Sequence, residues 1–114
     1  MGSYGGVMLL HDQVSELWFQ KPTIALATEH RLPTIAEVRS FAHQGGLLAF
    51  GPNIPDLYRR GAFYVDRILK GAKPADLPVE QPTKFDFVIN LQTAQALGLT
   101  ISQSLLQQST EVIQ

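Results

Sequence analysis

Three short segments combine charged, amide or hinge-forming residues with a position directly after a predicted strand. They are His11–Gln13, Glu37–Arg39 and Phe50–Asn53. In an open parallel sheet, small ligands collect outside the carboxyl ends of the strands, where loops emerge and helices begin. We therefore expect any small-molecule site here. The predicted ligand-binding residues are Asp12, Glu37, Phe50, Gly51, Pro52 and Asn53.

The acidic candidates also have a structural interpretation. Asp12 stands between a predicted strand and a predicted helix, so capping of the helix explains it better than catalysis does. Asp12 and Glu37 could face one cleft, but the sequence shows nothing that would separate their pKa values into an acid and a base. The pair is therefore interpreted as a binding group.

Motifs of catalysis and of cofactor binding are missing from the sequence. The three histidines lack the short helical spacings of metal motifs, and no Gly-x-Ser-x-Gly elbow is present. The glycine-rich turns match neither a phosphate loop nor a dinucleotide turn. We predict no metal, no cofactor and no enzymatic activity. An enzyme acting at the strand-end cleft remains an alternative that no motif favours.

The stretch Gly45–Gly71 organises the chain. Its apolar run Leu47–Phe50 predicts a strand covered on both faces. Asn53 stands at the N-cap of a helix predicted over Ile54–Lys70, and Gly71 ends it. Apolar residues recur along that helix at steps of three and four, which gives it one apolar stripe.

Other patterns alternate short strands and helices. Because strands separated by helices favour right-handed βαβ units, the sequence predicts an α/β fold with a mostly parallel sheet. Thr93 is a candidate early cap of the fourth helix. The remaining predicted strands are Val7–Leu10, Thr34–Glu37 and Phe85–Asn90; the helices are Val14–Arg31 with a break at Pro22, Val38–His43, Leu91–Leu97 and a weak docking helix within Thr100–Gln114; and Ala72–Thr83 is a proline-rich surface crossing.

Composition narrows the class of protein. With 114 residues, 45% hydrophobic and 17% charged, the chain has the balance of one globular domain. A net charge of -1 does not favour nucleic acid, and the absence of cysteine excludes disulfides. No apolar run approaches the ~20 residues that cross a bilayer. We find no signal peptide, so the sequence as it stands predicts a cytoplasmic product.

The run Ile24–Ile101 resembles the carboxy-terminal part of ABC transporter substrate-binding proteins related to the bacterial tryptophan/tyrosine uptake proteins. The most specific part is YRRGAFYVDRILKGAKPADLPVEQPTKFDFVINLQTAQALGL. The resemblance implies one lobe of a type I periplasmic-binding protein, as a single domain over 1–114. Its three αβα layers would hold a mostly parallel sheet with an antiparallel last strand at Phe85–Asn90. Family members usually carry Ser-Asp-Pro where this chain has His11–Gln13, whereas Phe50–Asn53 matches the family hinge.

The resemblance also implies a function. It points to the solute-binding component of a bacterial ABC importer, periplasmic or lipid-anchored, which closes two lobes on a small molecule such as an amino acid and delivers it to a permease. For the isolated chain we expect weak or no binding. The helix 54–70 is expected to pack on an absent first lobe or on another copy, giving a homo-oligomer. The alternative is an oligomerising structural fragment without ligand binding of its own.

Overall fold

The computed structural model describes residues 5–10 and 18–114. Within them the α/β prediction is confirmed, because strands and helices alternate along the chain. The elements are β1 Val7–Leu9, α1 Gln20–Glu29, β2 Thr34–Ala36, α2 Arg39–His43, β3 Leu48–Pro52, α3 Ile54–Leu69, a 3-10 turn Pro74–Asp76, β4 Phe85–Asn90, α4 Leu91–Ala96, α5 Gln103–Gln108 and β5 Glu111–Ile113.

The described strands form one sheet in the order β1-β2-β3-β4-β5. Parallel pairing joins β1 to β2, β2 to β3 and β4 to β5. The β3/β4 pair is antiparallel: the backbone N–H of Asn90 donates to the carbonyl of Leu47 over 2.9 Å, at the opposite ends of the two strands. The predicted antiparallel strand at 85–90 is thus confirmed.

The end of the chain differs from the prediction. Only Gln103–Gln108 of the predicted docking helix is helical, and Glu111–Ile113 adds a fifth strand beside β4. Thr110 begins this pairing, because its N–H donates to the carbonyl of Phe87 over 2.8 Å. The prediction was wrong here because a strand of three residues is stabilised by its neighbour in the sheet rather than by its own pattern.

The described chain divides into two units. Unit 1 comprises the described residues up to Gly51 together with Asp86–Gln114, and unit 2 is Pro52–Phe85. The backbone therefore passes from one unit to the other at two places, Gly51–Pro52 and Phe85–Asp86. None of the described helices combines the length and the apolar character needed to cross a membrane.

Helix α2 joins two apolar clusters in unit 1. Phe41 belongs to the first and Ala42 to the second, and neither side chain is exposed. Gly46 is required beside α2, because a Cβ there would lie 2.1 Å from the Phe41 ring. The clusters are Ile24, Ala36 and Phe41 with Leu9 and Val38, and Ala42, Ala49 and Val88 with Ile113.

Strand β3 is covered on one face only. Ala49 and Gly51 are buried, whereas Phe50 between them is 54% exposed. The expectation of a strand buried on both faces was therefore wrong. Alternate side chains of a strand point to opposite faces, and the described residues cover Phe50 incompletely.

Asn90 ties α4 to α2. Its side-chain Nδ2 donates to the carbonyl of Ala42 over 2.8 Å, and its Oδ1 accepts from the N–H of Thr93 over 3.1 Å. Asn90, and not Thr93, is therefore the N-cap of α4. Thr93 instead donates its hydroxyl to the carbonyl of Gly45. Because Asn90 is only 5% exposed, both of its polar atoms must be satisfied by the protein.

Helix α3 follows its sequence pattern closely. The Asn53 Oδ1 accepts from the N–H of Asp56 over 2.8 Å, and Pro55 lies in the first turn, where its missing N–H costs no hydrogen bond. After Lys70, Gly71 takes a positive φ of 106°. The predicted cap, length and end of this helix are confirmed.

Candidate functional site

The carboxyl ends of β2 and β3 lie side by side in unit 1. Ala36 of β2 pairs with Ala49 of β3, so the following residues, Glu37 and Phe50, are brought next to each other. Glu37 is exposed. These two predicted ligand-binding residues therefore share one edge of the sheet, and a carboxylate and an aromatic ring stand together there.

Gly51 permits the close approach of these two chain segments. A Cβ at residue 51 would lie 2.1 Å from the carbonyl oxygen of Glu37 and 2.9 Å from its carbonyl carbon. These are backbone atoms, which cannot rotate away as a side chain can. Any residue larger than glycine at 51 would therefore displace Glu37 or the end of β3.

Phe50 forms an aromatic pair with Phe87 of β4. The ring centroids are 5.8 Å apart and the ring planes meet at 82°, an edge-to-face contact. The antiparallel register, in which Leu47 is bonded to Asn90, places Phe50 opposite Phe87. Sequence reasoning did not include Phe87. The alternation of Phe85, Phe87 and Ile89 marked a strand, but only the register with β3 shows which phenylalanine meets Phe50.

Two other predicted site residues, Pro52 and Asn53, belong to unit 2. Pro52 ends β3, and the Asn53 carbonyl oxygen caps α3. The backbone N–H of Asn53 donates to the carbonyl of Lys84 over 2.9 Å. Asn53 thus has a structural role that its sequence position already predicted. Asp12 lies outside the described residues, as does His11.

The other histidines lie away from this edge or serve as structural contacts. His30 follows the last residue of α1 as its C-cap. His43 Nε2 is 3.0 Å from a carboxylate oxygen of Glu111, and Arg39 Nη2 is 2.7 Å from the other oxygen. These contacts join α2 to β5. Across the described ranges, no three acidic, histidine or cysteine residues are grouped so that they could hold a metal ion.

A hollow at the opposite, amino ends of β1, β2 and β3 differs from the candidate site. It has a volume of about 290 Å³ and is lined mainly by apolar groups. The one hydroxyl in its lining, that of Thr34, accepts a hydrogen bond from the N–H of Leu47. Because ligands of parallel sheets bind at the carboxyl ends, we favour the Glu37–Phe50 edge. The lining residues are Gly6, Val7, Met8, Pro33, Thr34, Ile35, Leu47 and Leu48.

A groove of about 760 Å³ lies within unit 2, between α3 and residues 78–83. The guanidinium of Arg60 makes a bidentate ion pair with Glu80, and the Tyr64 hydroxyl donates to the carbonyl of Pro78 over 2.7 Å. The hydrogen bond from Arg60 lowers the pKa of Glu80, and the same pair raises the pKa of Arg60. Desolvation raises the pKa of the Tyr64 hydroxyl. The sequence had placed Arg60 on a solvated face, and this prediction was wrong.

Comparison with known proteins follows from this geometry. Residues 5–113 match the family of ABC transporter substrate binding proteins. The chain belongs to this family. A search of curated proteins returned no match. The proteins of this family are substrate-binding proteins and not enzymes, and the resemblance noted in the sequence is confirmed.

Solved structures agree with the assignment. The chain is 28% identical to a conserved domain protein from Vibrio cholerae, with a TM-score of 0.83 over 93% of this chain and 36% of that one. It is 33% identical to an ABC domain from Streptococcus pneumoniae in complex with L-Trp, with a TM-score of 0.72 over 81% of this chain and 32% of that one. This substrate-binding protein thus spans about a third of the length of both relatives.

A third structure supports the fold alone. It is the ligand-free, open form of a substrate-binding protein with adhesive properties from Clostridium difficile, 23% identical, with a TM-score of 0.65 over 95% of this chain and 36% of that one. The predicted periplasmic-binding-protein fold is confirmed by these likenesses.

Proposed function

We propose that this chain contributes a solute-contacting edge to the binding component of an ABC importer. The solute is an amino acid or a similar small molecule, and it meets the carboxyl ends of β2 and β3. The observation that supports this most is the family match over residues 5–113. The relative from Streptococcus pneumoniae was solved in complex with L-Trp, which makes aromatic amino acids the first solutes to test.

The chemistry of the edge suits an amino acid. The exposed carboxylate of Glu37 can attract an ammonium group, because opposite charges favour contact. The Phe50–Phe87 pair offers an apolar surface on which an aromatic side chain could stack. The proposed contacts are Asp12, Glu37, Phe50, Gly51, Pro52 and Asn53, to which the geometry adds Phe87.

The mechanism proposed for the importer is closure of two lobes about a hinge, with no covalent step. The Gly51–Pro52 and Phe85–Asp86 passages between the two units are the proposed hinge positions. An ABC permease is the proposed recipient of the solute, and an extracytoplasmic location is proposed from the family. Because the chain spans about a third of its relatives, we expect it to bind solute weakly.

NMR titration of the isotope-labelled chain tests this site. Adding L-Trp, L-Tyr and L-Leu should shift the backbone amides of Glu37, Phe50 and Gly51, whereas glucose should not. Phe50→Ala and Glu37→Gln should each reduce the shifts. Phe63→Ala, in α3, is the matched aromatic control and should leave them unchanged. Shifts confined to the amino-end hollow around Thr34, or no shift at millimolar amino acid, would contradict the proposed site.

A second proposed property is self-association through residues 54–70. Six large apolar residues of α3 are between 37% and 81% exposed, and the helix has no buried residue. Soluble monomers rarely leave so continuous an apolar stripe in water. Sedimentation velocity over a concentration series should show a dimer or larger oligomer. The six residues are Ile54, Leu57, Tyr58, Val65, Ile68 and Leu69.

A further inference from the structure

A glycine stands at the middle of the exposed apolar stripe of α3. Gly61 comes seven residues after Ile54 and eight before Leu69, and it lies on the same face at steps of three and four. A Cβ added at Gly61 would meet no atom within 4 Å. Within the described part of the chain, nothing therefore requires a glycine at this point.

Glycine inside a helix is unfavourable. It loses more backbone freedom on folding than alanine does and adds no side chain to pack. Gly61 also has an ordinary helical backbone, because the glycines with positive φ in the described residues are Gly45, Gly71 and Gly98. The remaining physical use of a glycine here is to let a second backbone approach the helix closely.

We infer that α3 helices of two copies cross at Gly61 about a two-fold axis. This inference rests on the self-association proposed above and names its contact. A crossing at the middle of the stripe lays the apolar residues of each helix along those of the other. Such a contact is self-complementary, as an isologous dimer requires. The spacing of packed helices depends on the side chains at the contact, and glycine allows the closest approach.

The size of the stripe fits a second copy of this helix. Sixteen residues make a helix about 24 Å long, and a helix is about 10 Å wide. Two such stripes crossing at a shallow angle cover each other along most of their length. The area removed is of the order of several hundred Å² per copy, near the lower limit of specific interfaces. We therefore expect a dissociation constant in the micromolar range, on the order of that for small transient interfaces.

Disulfide trapping tests the crossing directly. The chain has no cysteine, so a single introduced thiol has no competitor. A disulfide needs two Cα atoms roughly 4.4–6.8 Å apart, which a glycine crossing supplies. Gly61→Cys should form a covalent dimer under mild oxidation. Arg59→Cys, on the polar face of α3, is the control and should do so at least about tenfold more slowly, because it lacks the raised local concentration of thiols.

A larger side chain separates a close crossing from unspecific hydrophobic contact. Gly61→Leu enlarges the apolar stripe, so unspecific association would become stronger. A close crossing would instead be blocked, and the dimer dissociation constant should rise about tenfold or more. Arg59→Leu adds the same side chain on the opposite face and should change the constant less than about twofold. Circular dichroism confirms that each variant is folded, and if Gly61→Leu is not, the cysteine pair decides.

The outcomes distinguish this inference from the self-association on which it rests. A wild-type chain that stays monomeric at about 100 μM, far above the micromolar constant expected for a small interface, overturns both. A dimer that persists or strengthens in Gly61→Leu overturns the crossing but leaves self-association standing. The same holds if, in mixed samples, Gly61→Cys is trapped faster with Met8→Cys than with itself, because α3 would then lie on the exposed sheet residue Met8 of another copy.

Discussion

Replacing Gly51 by alanine should damage both the fold of unit 1 and the candidate site. The added Cβ would lie 2.1 Å from the carbonyl oxygen of Glu37, and real Cβ atoms essentially never come within 3.0 Å of such an atom. Relief requires a shift of about 1 Å in either strand end. Ala36 and Ala49, which precede the two sites, are paired in the sheet and buried, so the backbone has little freedom to move.

The expected loss follows from this geometry. Overpacking that displaces backbone typically costs about 1–3 kcal/mol, and this contact is severe and involves backbone on both sides, so we expect about 2–3 kcal/mol. Domains are stabilised by only about 5–15 kcal/mol. For a domain of about 100 residues, each kcal/mol lowers the melting temperature by about 4–8 °C, so the loss should be on the order of 10–20 °C.

Thermal and urea unfolding followed by circular dichroism measure this effect. The matched control is Gly61→Ala, which introduces the same methyl group where no atom lies within 4 Å. At a concentration low enough to keep the chain monomeric, that change should stabilise α3 by up to about 1 kcal/mol, because alanine is the better helix former. The two substitutions should therefore have opposite signs.

A Gly51→Ala protein within about 0.5 kcal/mol of wild type, the usual range of harmless surface changes, would refute this reasoning. It would mean that the ends of β2 and β3 are not held as closely as the structure has them. A stable Gly51→Ala chain with unchanged amino-acid titration would also argue against the Glu37–Phe50 edge as the site.

Three further predictions concern single contacts. Asn90→Ala should cost about 2–3 kcal/mol in urea unfolding, since it leaves a buried carbonyl of α2 unpaired and removes the cap of α4. Asn53→Ala should destabilise α3 by about 1 kcal/mol, with Asn53→Asp nearly neutral, as followed by amide hydrogen exchange. The pKa of Glu80 is lowered in the folded chain by Arg60, so its stabilisation is present above the unfolded pKa and lost as the pH falls through the folded one. Residues 78–83 should thus exchange amide hydrogens faster in acid relative to the helix, and Glu80→Gln should abolish that dependence.

Local patterns predicted the elements that carry their own signals. The boundaries of α3 followed from Asn53, Pro55 and Gly71, because caps and terminators act within one turn of the helix. The tail was predicted less well. Val112 and Ile113 fit a docked helix or a strand equally, and only pairing with β4 decides between them.

The candidate site was predicted in part. Glu37 and Phe50 were found because parallel strands present their carboxyl ends at one edge. Phe87 was missed because its meeting with Phe50 depends on an antiparallel register that neither strand specifies alone. The closeness of Gly51 to Glu37 was also invisible, since it depends on how two strands lie side by side.

The sequence by itself determined where the helices and most strands form, that their alternation makes an α/β fold, and which family the chain resembles. These depend on spacing and short-range chemistry. The tertiary structure decided which residues meet: Phe50 with Phe87, Arg60 with Glu80, and Glu37 with Gly51. It also left the stripe of α3 uncovered with Gly61 at its centre. Such contacts join residues distant in the chain, and their geometry depends on the packing of whole elements rather than on any local pattern.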